Sequence, residues 1–410
     1  MASPSPSTIR VTGALSPYAA GFREELARRG YTPSSASVRM LLMAHLSCWL
    51  KHEDLTAAEL TSEVVDQFVR ARRAEGRTWL ISARALAPLL DYLRALDVVA
   101  KPVLRLPTTP TEQLLDDYAR YLVRERALVP STVRTYVTDA GLFLAELSGP
   151  MGLELEGLSS RVVSGFMLQA SRRHQAAPPG AAKTLSTLAT SLRSLLRFLH
   201  VEGWTKLDLT SAVPSVAAWR FRSLPRALDA GQVALLLESC DQATPIGRRD
   251  FAILTVLARL GLRSREVALL GLDDMDWRAS EIIVHGKGNR VDRLPIPRDV
   301  GQAITSYLKM GRPRAECRRL FLRARAPKEG LSSDAIGMIV RVACDRAGLP
   351  RVGAHQLRHA MATNMLAHGA PLSEIGQILR HVRPATTAIY AKVDRDRLQG
   401  LARPWPGLRP

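Results

Sequence analysis

The chain has 410 residues, too many for one ordinary core, and a 46% apolar content that marks it as globular rather than disordered, so two or three domains are expected. Its 57 Lys and Arg against 38 Asp and Glu leave a formal charge of +19, which points to a polyanionic partner, nucleic acid first and an anionic membrane surface second, with a merely basic, well-solvated protein as the plain alternative. Charges interrupt every apolar stretch before it reaches bilayer-crossing length, so no membrane-spanning segment is expected, and Met1 to Ser16 is Ser- and Pro-rich without the apolar core of a signal peptide.

Residues 1–16 read as a disordered tail. From Tyr18 to about Ala100 apolar positions recur at helical spacing, in Val38 to Leu50, Val64 to Val69 and Ala83 to Leu96. The Pro-rich stretch Lys101 to Pro110 reads as a linker. A second helical block runs from Glu112 to about Gly203. The two blocks resemble a diverged repeat. Pro33-Ser34-Ser35 is echoed by Pro130-Ser131-Thr132, and Leu60-Thr61-Ser62 leading to Phe68 by Leu158-Ser159-Ser160 leading to Phe166. Leu89-Leu90-Asp91-Tyr92-Leu93 is echoed by Leu195-Leu196-Arg197-Phe198-Leu199. Chance likeness between two amphipathic segments is the plain alternative to the repeat. The Pro-Ser elements open helices, whose N-termini suit phosphate contact.

Val213 to Pro225 turns irregular and basic, with Arg220 and Arg222, and reads as an interdomain linker. A third unit runs from Arg226 to about Asp396. Glu281 to His285 and Arg293 to Ile296 flank Gly286-Lys287-Gly288-Asn289-Arg290, a β-hairpin with a Gly-rich basic turn. Helices are predicted over Leu331 to Ala347, Ala354 to His368, Ser373 to Leu379 and Ala385 to Val393. Cys48, Cys240, Cys317 and Cys344 are far apart with no CxxC spacing. They read as buried reduced thiols rather than a disulfide framework or a zinc site, which places the protein in a reducing cytoplasm.

Within the third unit the polar residues of note are Arg263, Lys287, His355, Arg358, His359, His381 and Tyr390. Each alone has a bland reading. An Arg at a helix junction is a surface charge or a cap, a Lys in a Gly turn is solvated, and a Tyr on an amphipathic helix is half-buried packing. His355 and His359, one turn apart, could suit a metal. Together, however, two arginines, a lysine, two histidines and a tyrosine suffice to attack a phosphodiester. Arginine forks grip the two non-bridging oxygens as their charge grows. A tyrosine, with a pKa near 10, needs a base or a positive field to attack. A lysine on a hairpin is a natural proton donor to the departing sugar oxygen.

Gly261-Leu262-Arg263-x-x-Glu266, Gly286-Lys287-Gly288-Asn289, His355-x-Leu357-Arg358-His359 and His381 nine residues before Tyr390 resemble, in order, the signature of the tyrosine recombinases, the phage integrase family. Thr386-Thr387-x-x-Tyr390 is a further local match. The resemblance covers roughly Leu224 to Arg397, with weaker likeness of Glu112 to Gly203 to the family's helical core-binding domain. It implies a mainly α fold with a small β-hairpin or sheet in the catalytic domain, an α+β class, preceded by two helical DNA-binding domains. The implied division is an extra helical domain at 17–100, a linker at 101–110, a SAM-like core-binding domain at 111–212, a linker at 213–225, a catalytic domain at 226–396 and a tail at 397–410.

The implied activity is site-specific cutting and rejoining of double-stranded DNA for integration, excision or transposition of a mobile element. Arg263 and Arg358 would hold the scissile phosphate, Lys287 would protonate the leaving 5′ oxygen, and His355 would serve proton transfer with the nucleophile. His381 would hydrogen-bond the phosphate, Glu266 and His359 would support from behind, and Tyr390 would form a 3′-phosphotyrosyl bond. Neither ATP nor a metal is required by that chemistry, so no cofactor is expected. Arg134, Arg220, Arg222, Arg290 and Arg380 are candidate DNA contacts.

Two departures stand out. Arg380 occupies the place where the family usually has Gly, and the block from Tyr18 to Ala100 exceeds the usual two-domain plan, as a second DNA clamp or an arm-site or partner-binding domain. The implied partners are a homo-oligomer, a tetramer on DNA, and accessory recombinases or DNA-bending proteins, in the nucleoid of a bacterium. A type IB topoisomerase or hairpin-forming resolvase would use the same residues, and a silent accessory subunit would keep the fold without them. A zinc hydrolase on His355 and His359 fits poorly, because a zinc-protease helix has Glu where this chain has Gln356. Gly286-Lys287-Gly288-Asn289 also lacks the Gly-Lys-Ser or Gly-Lys-Thr ending of a nucleotide phosphate loop.

Overall fold

The computed structural model describes residues 9–101, 107–149, 152–153, 155, 157–176, 185–215, 228–286, 290–381, 387 and 390. Lys287, Arg220, Arg222 and most of the helix expected over Ala385 to Val393 lie outside the described residues. Among the described residues no helix is long and apolar enough to cross a membrane.

The first block is four helices, α1 (Ala19–Arg28), α2 (Pro33–His52), α3 (Ser62–Ala74) and α4 (Ala83–Ala95). The second is another four, α5 (Pro110–Arg124), α6 (Pro130–Glu146), α7 (Ser160–Ala176) and α8 (Leu185–Val201), with a two-stranded turn of β1 (Ser148–Gly149) and β2 (Gly152–Leu153). The echoed motifs fall at the same place in each set. Pro33 and Pro130 open the second helix, where a missing N–H costs nothing and φ is already helical. Phe68 and Phe166 are buried in the third helix, and Leu89 to Leu93 and Leu195 to Leu199 lie in the fourth. Pro110, expected to close a linker, instead opens α5. Thr109 caps the helix by accepting the Glu112 amide at 3.2 Å, while Glu112 reaches back to the Thr109 amide at 3.2 Å.

The third stretch contains α9 (Ala230–Glu238), α10 (Pro245–Leu260), α11 (Ser264–Leu269), β3 (Met275–Asp276), β4 (Glu281–His285) and β5 (Val291–Pro295). It continues with α12 (Arg298–Met310), α13 (Ser333–Arg346), α14 (Ala354–Ala367) and α15 (Leu372–Ile378). The expected hairpin is present, in register from Glu281 opposite Pro295 to His285 opposite Val291. A third antiparallel strand, β3, pairs Met275 with Ile282 and was not anticipated, because two residues carry no visible alternation. Helix α10 is the spine, with Ala252, Ile253, Leu254, Val256 and Leu257 fully buried.

By compactness the chain forms two units, one of residues 102–220 and one joining residues 1–101 to residues 221–410. In the joined unit the Lys328 amide donates to the Arg29 carbonyl at 2.9 Å, and Arg28 pairs with Glu316. Each helical block nevertheless closes its own apolar cluster, around Phe22, Met40 and Leu46 in the first and Tyr118, Phe143 and Phe198 in the second.

Candidate active site

Helix α10 ends at Gly261, whose φ of 56° is left-handed. The left-handed backbone suits glycine, and an added Cβ would also sit 2.8 Å from the Met361 sulfur and 2.9 Å from Leu379, so both side chains would have to shift. The turn buries Leu262 and delivers Arg263 to the N-cap of α11. Buried Glu266 then accepts the Arg263 amide at 2.8 Å and the Arg263 guanidinium at 2.6 Å. Burial alone would raise the Glu266 pKa, but the Arg263 amide and the charges of Arg380 and Arg263 outweigh it and hold the carboxyl below its ordinary range. Arg263 itself stays 42% exposed, so part of its fork remains free for a ligand.

Helix α14 presents His355, Arg358 and His359. Its start is closed by Gln356, which accepts the Gly353 amide at 2.9 Å, so this side chain serves as a cap. Arg358 is only 1% exposed. It donates to the Gly261 carbonyl at 2.6 Å and to the Leu379 carbonyl. These two bonds fix the plane of the guanidinium and use two of its five N–H groups. Burial, then the charges of Arg263 and Arg380, lower its pKa to about 10, leaving it cationic at neutral pH.

Tyr390 is buried at 1% exposure in a small cluster with Ala362, Leu366, Ile375 and Leu379. Its hydroxyl lies 2.8 Å from His359 Nδ1. Burial pushes the phenol up to about 12, against the pull of Arg358. Burial, then the neighbouring His355 and Arg358, lower His359 to about 4. At neutral pH both groups are therefore uncharged, and with the imidazole proton on Nε2 the tyrosine hydroxyl donates to Nδ1. The His355 ring lies edge-on to that of His359 at 4.4 Å, and is itself exposed. His381 Nδ1 meets the Thr387 hydroxyl at 2.8 Å, which leaves its Nε2 free. Burial and the charges of Arg358 and Arg263 bring His381 to about 4 as well.

The β4–β5 hairpin forms one wall of a cleft of about 270 Å³, with Gly286, Arg290 and Asp292 facing Arg263, Arg265, Glu266 and Arg380. His285 Nε2 lies 2.9 Å from Asp274, and the Gly286 amide donates to the Arg290 carbonyl at 2.7 Å across the base of the turn. Arg290 is exposed, and Arg134 is exposed on α6.

Arg263, Glu266, His355, Arg358, His359, His381 and Tyr390 are thus brought within one electrostatic neighbourhood. Three features were not foreseen. His359, rather than His355, touches the tyrosine hydroxyl. The Arg380 side chain is 7% exposed and donates to Glu266 at 2.7 Å, so it lines the cleft while held by that carboxylate. Thr387, noted only as part of a motif, is buried against His381. Its spacing from Tyr390 was the available signal. Among the described residues no three His, Cys, Asp or Glu side chains converge as a metal site would need.

Comparison with known proteins shows the family. A model described as the phage integrase family matches residues 226–397, and one described as the phage integrase N-terminal SAM-like domain matches residues 115–209. The chain is 39% identical over 400 residues to a protein of Sinorhizobium fredii named putative integrase/recombinase y4rA, covering 96% of this chain and 95% of the relative. It is 30% identical over 321 residues to the tyrosine recombinase XerD of Mycobacterium leprae, covering 74% of this chain and 98% of XerD. Its fold resembles a crystal structure of the XerH site-specific recombinase bound to a palindromic difH substrate, with a TM-score of 0.55 at 18% identity over 73% of this chain and 98% of XerH.

Proposed function

The chain belongs to the phage integrase family of tyrosine recombinases, and from that premise we propose that it cuts duplex DNA with Tyr390 as nucleophile and the surrounding cations as phosphate clamp. The observation that carries this reading is the Tyr390 hydroxyl, 2.8 Å from a neutral imidazole and beside Arg358.

In this reading Arg263 and Arg358 hold the non-bridging oxygens of the scissile phosphate, with the N–H groups that Glu266 and the two backbone carbonyls leave free. Tyr390 Oη attacks phosphorus and its proton passes to His359 Nδ1. The bond from phosphorus to the 5′ oxygen breaks, and Lys287 protonates that oxygen. The product is a 3′-phosphotyrosyl bond and a free 5′ hydroxyl. A 5′ hydroxyl from another strand then attacks the phosphotyrosine and returns the tyrosine. One diester is exchanged for another, so the bond energy is conserved. His381 offers Nε2 to the phosphate while Thr387 holds its Nδ1. His355, exposed and edge-on to His359, lies on the route from that ring to solvent.

Tyr390 and Arg358 are both buried, so in this reading attack on a phosphate requires the cluster around the tyrosine to open. Because exchange needs a second strand and a second active site, the working assembly is a homo-oligomer on DNA, which light scattering of the complex would count. Integration, excision or transposition of a mobile element is the biological use that fits such an exchange.

The reaction is tested with a nicked duplex carrying sequence from beside the coding gene. The short 5′-hydroxyl fragment diffuses away, so the covalent species accumulates. A detergent-resistant protein–DNA adduct is expected, and tight binding with no adduct overturns the reading. The same assay sorts the histidines. His359→Ala is expected to slow adduct formation by about 10²-fold, the usual worth of a positioned base. With His359 near 4, the parent rate should hold as pH falls from neutral and drop only as pH approaches that value, because the base must be unprotonated. If His355→Ala is the slower variant, the proton partner is the one the sequence suggested.

A further inference from the structure

Arg380 stands where the family pattern has glycine, and its backbone φ of 54° is the left-handed conformation that suits glycine. A non-glycine residue persists there only when its surroundings hold it. Those surroundings are ionic. The side chain is 7% exposed, and one terminal nitrogen donates to Glu266 Oε2 at 2.7 Å across 114 residues of sequence. The Glu266 carboxylate also carries the Arg263 guanidinium and amide. On the other side, Arg380 Nε lies 3.7 Å from Asp292 on β5, an ion-pair distance but too long for a hydrogen bond. That nitrogen is buried and has no hydrogen-bond partner in this structure. The guanidinium therefore stands between the carboxylate that holds Arg263 and strand β5.

We propose that Arg380 is a positioning residue, tying the β4–β5 hairpin to the Arg263–Glu266 pair so that both walls of the cleft are set by one buried guanidinium. The inference rests on the roles of Tyr390 and Arg263 given above. It deepens that reading by naming what aligns the two walls. Two arginines on one carboxylate leave an excess positive charge that Asp292 offsets, so neither Glu266 nor Asp292 is a neutral bystander. A buried donor one step short of its acceptor favours the hairpin position that completes the bond. Arg380 thus does not contact the DNA backbone. Its effect falls on the rate of cutting and not on affinity.

The full-length chain is compared with Arg380→Gly, Arg380→Lys and Asp292→Asn in three measurements. These are DNA affinity, the single-turnover rate of adduct formation on the nicked duplex, and hydrogen exchange of the Val291–Pro295 amides. Glycine suits the left-handed backbone, so Arg380→Gly should fold and bind DNA as tightly as the parent. Its adduct rate should fall by about 10- to 100-fold, the scale on which small misplacements act. The hairpin amides should exchange faster. Arg380→Lys should restore part of the rate, since a point charge can reach one carboxylate but not both. Asp292→Asn should lower the rate in the same direction and add little in combination with Arg380→Gly.

Weaker binding with an unchanged rate in Arg380→Gly would make Arg380 a backbone contact and overturn the proposal. So would an unchanged rate with unchanged hairpin exchange. If the parent forms no adduct that depends on Tyr390, the reading of the site fails. Hairpin exchange in Arg380→Gly and Asp292→Asn then still decides whether Arg380 holds the hairpin.

Discussion

Tyr390→Phe is expected to bind DNA like the parent chain and to form no covalent adduct, a loss of roughly 10⁴-fold or more. The substitution removes one oxygen and leaves the ring packed among Ala362, Leu366, Ile375 and Leu379. The fold cost is one hydrogen bond to His359 Nδ1, about 1 kcal/mol, partly offset because a buried hydroxyl no longer needs a partner. A protein that melts near the parent temperature, shifts the same duplex and traps nothing is therefore the result that assigns the nucleophile. An adduct that persists in Tyr390→Phe sinks the assignment, and the attacking oxygen must then be sought elsewhere in the chain.

Arg358→Ala should lose both activity and stability, because one guanidinium serves two ends. It is the most enclosed cation of the site and its carbonyl bonds join the end of α10 to the end of α15. Removing it leaves the Gly261 and Leu379 carbonyls without this donor in a dry setting, at about 1–3 kcal/mol each. The cavity left by the side chain adds to that. The unit carrying α10 and α15 should melt several degrees lower. Adduct formation should fall by about 10²- to 10³-fold, the usual worth of a preorganised donor to developing charge. Arg358→Lys should recover more stability than rate, since an ammonium cannot bridge two carbonyls and fork a phosphate at once. If Arg358→Ala melts lower yet cuts at the parent rate, the residue is a staple and does not grip the phosphate.

The parts of this protein legible in the sequence were those whose signal is local. A Gly-rich basic turn between two apolar runs marks a hairpin; β4 lies over Glu281–His285 as expected, while β5 runs over Val291–Pro295 rather than Arg293 to Ile296. The Pro-Ser helix starts of α2 and α6 are equally local. Membership of the family rested on the order of short motifs, each weak alone. What was not legible depends on which atoms meet across long separations. His355 and His359 share a face of α14, and no spacing rule says which ring the phenol reaches. That depends on how Tyr390 packs against α14 and α15. The inward turn of Arg380 likewise needs Glu266, on a distant helix, and a left-handed backbone. The one hint in the sequence was an arginine where a glycine is usual. Strand β3 escaped because its pairing with β4 is a tertiary event.

The amide of Lys328 bonded to the carbonyl of Arg29 joins residues separated by most of the chain, with the unit of residues 102–220 spliced between them. This orders the assembly of the protein in time. The first four helices close their own apolar cluster and are ready early in synthesis, when the N-terminal part of a chain folds first. The α1–α2 turn, however, meets its partner only after the spliced unit and most of the third stretch have been made. The span to be closed is long if the intervening unit is still unfolded, and loop-closure entropy grows with that span. Prior folding of the spliced unit shortens the effective loop. The docking of the first block is therefore expected to come late in maturation, after the segment between its two halves has folded.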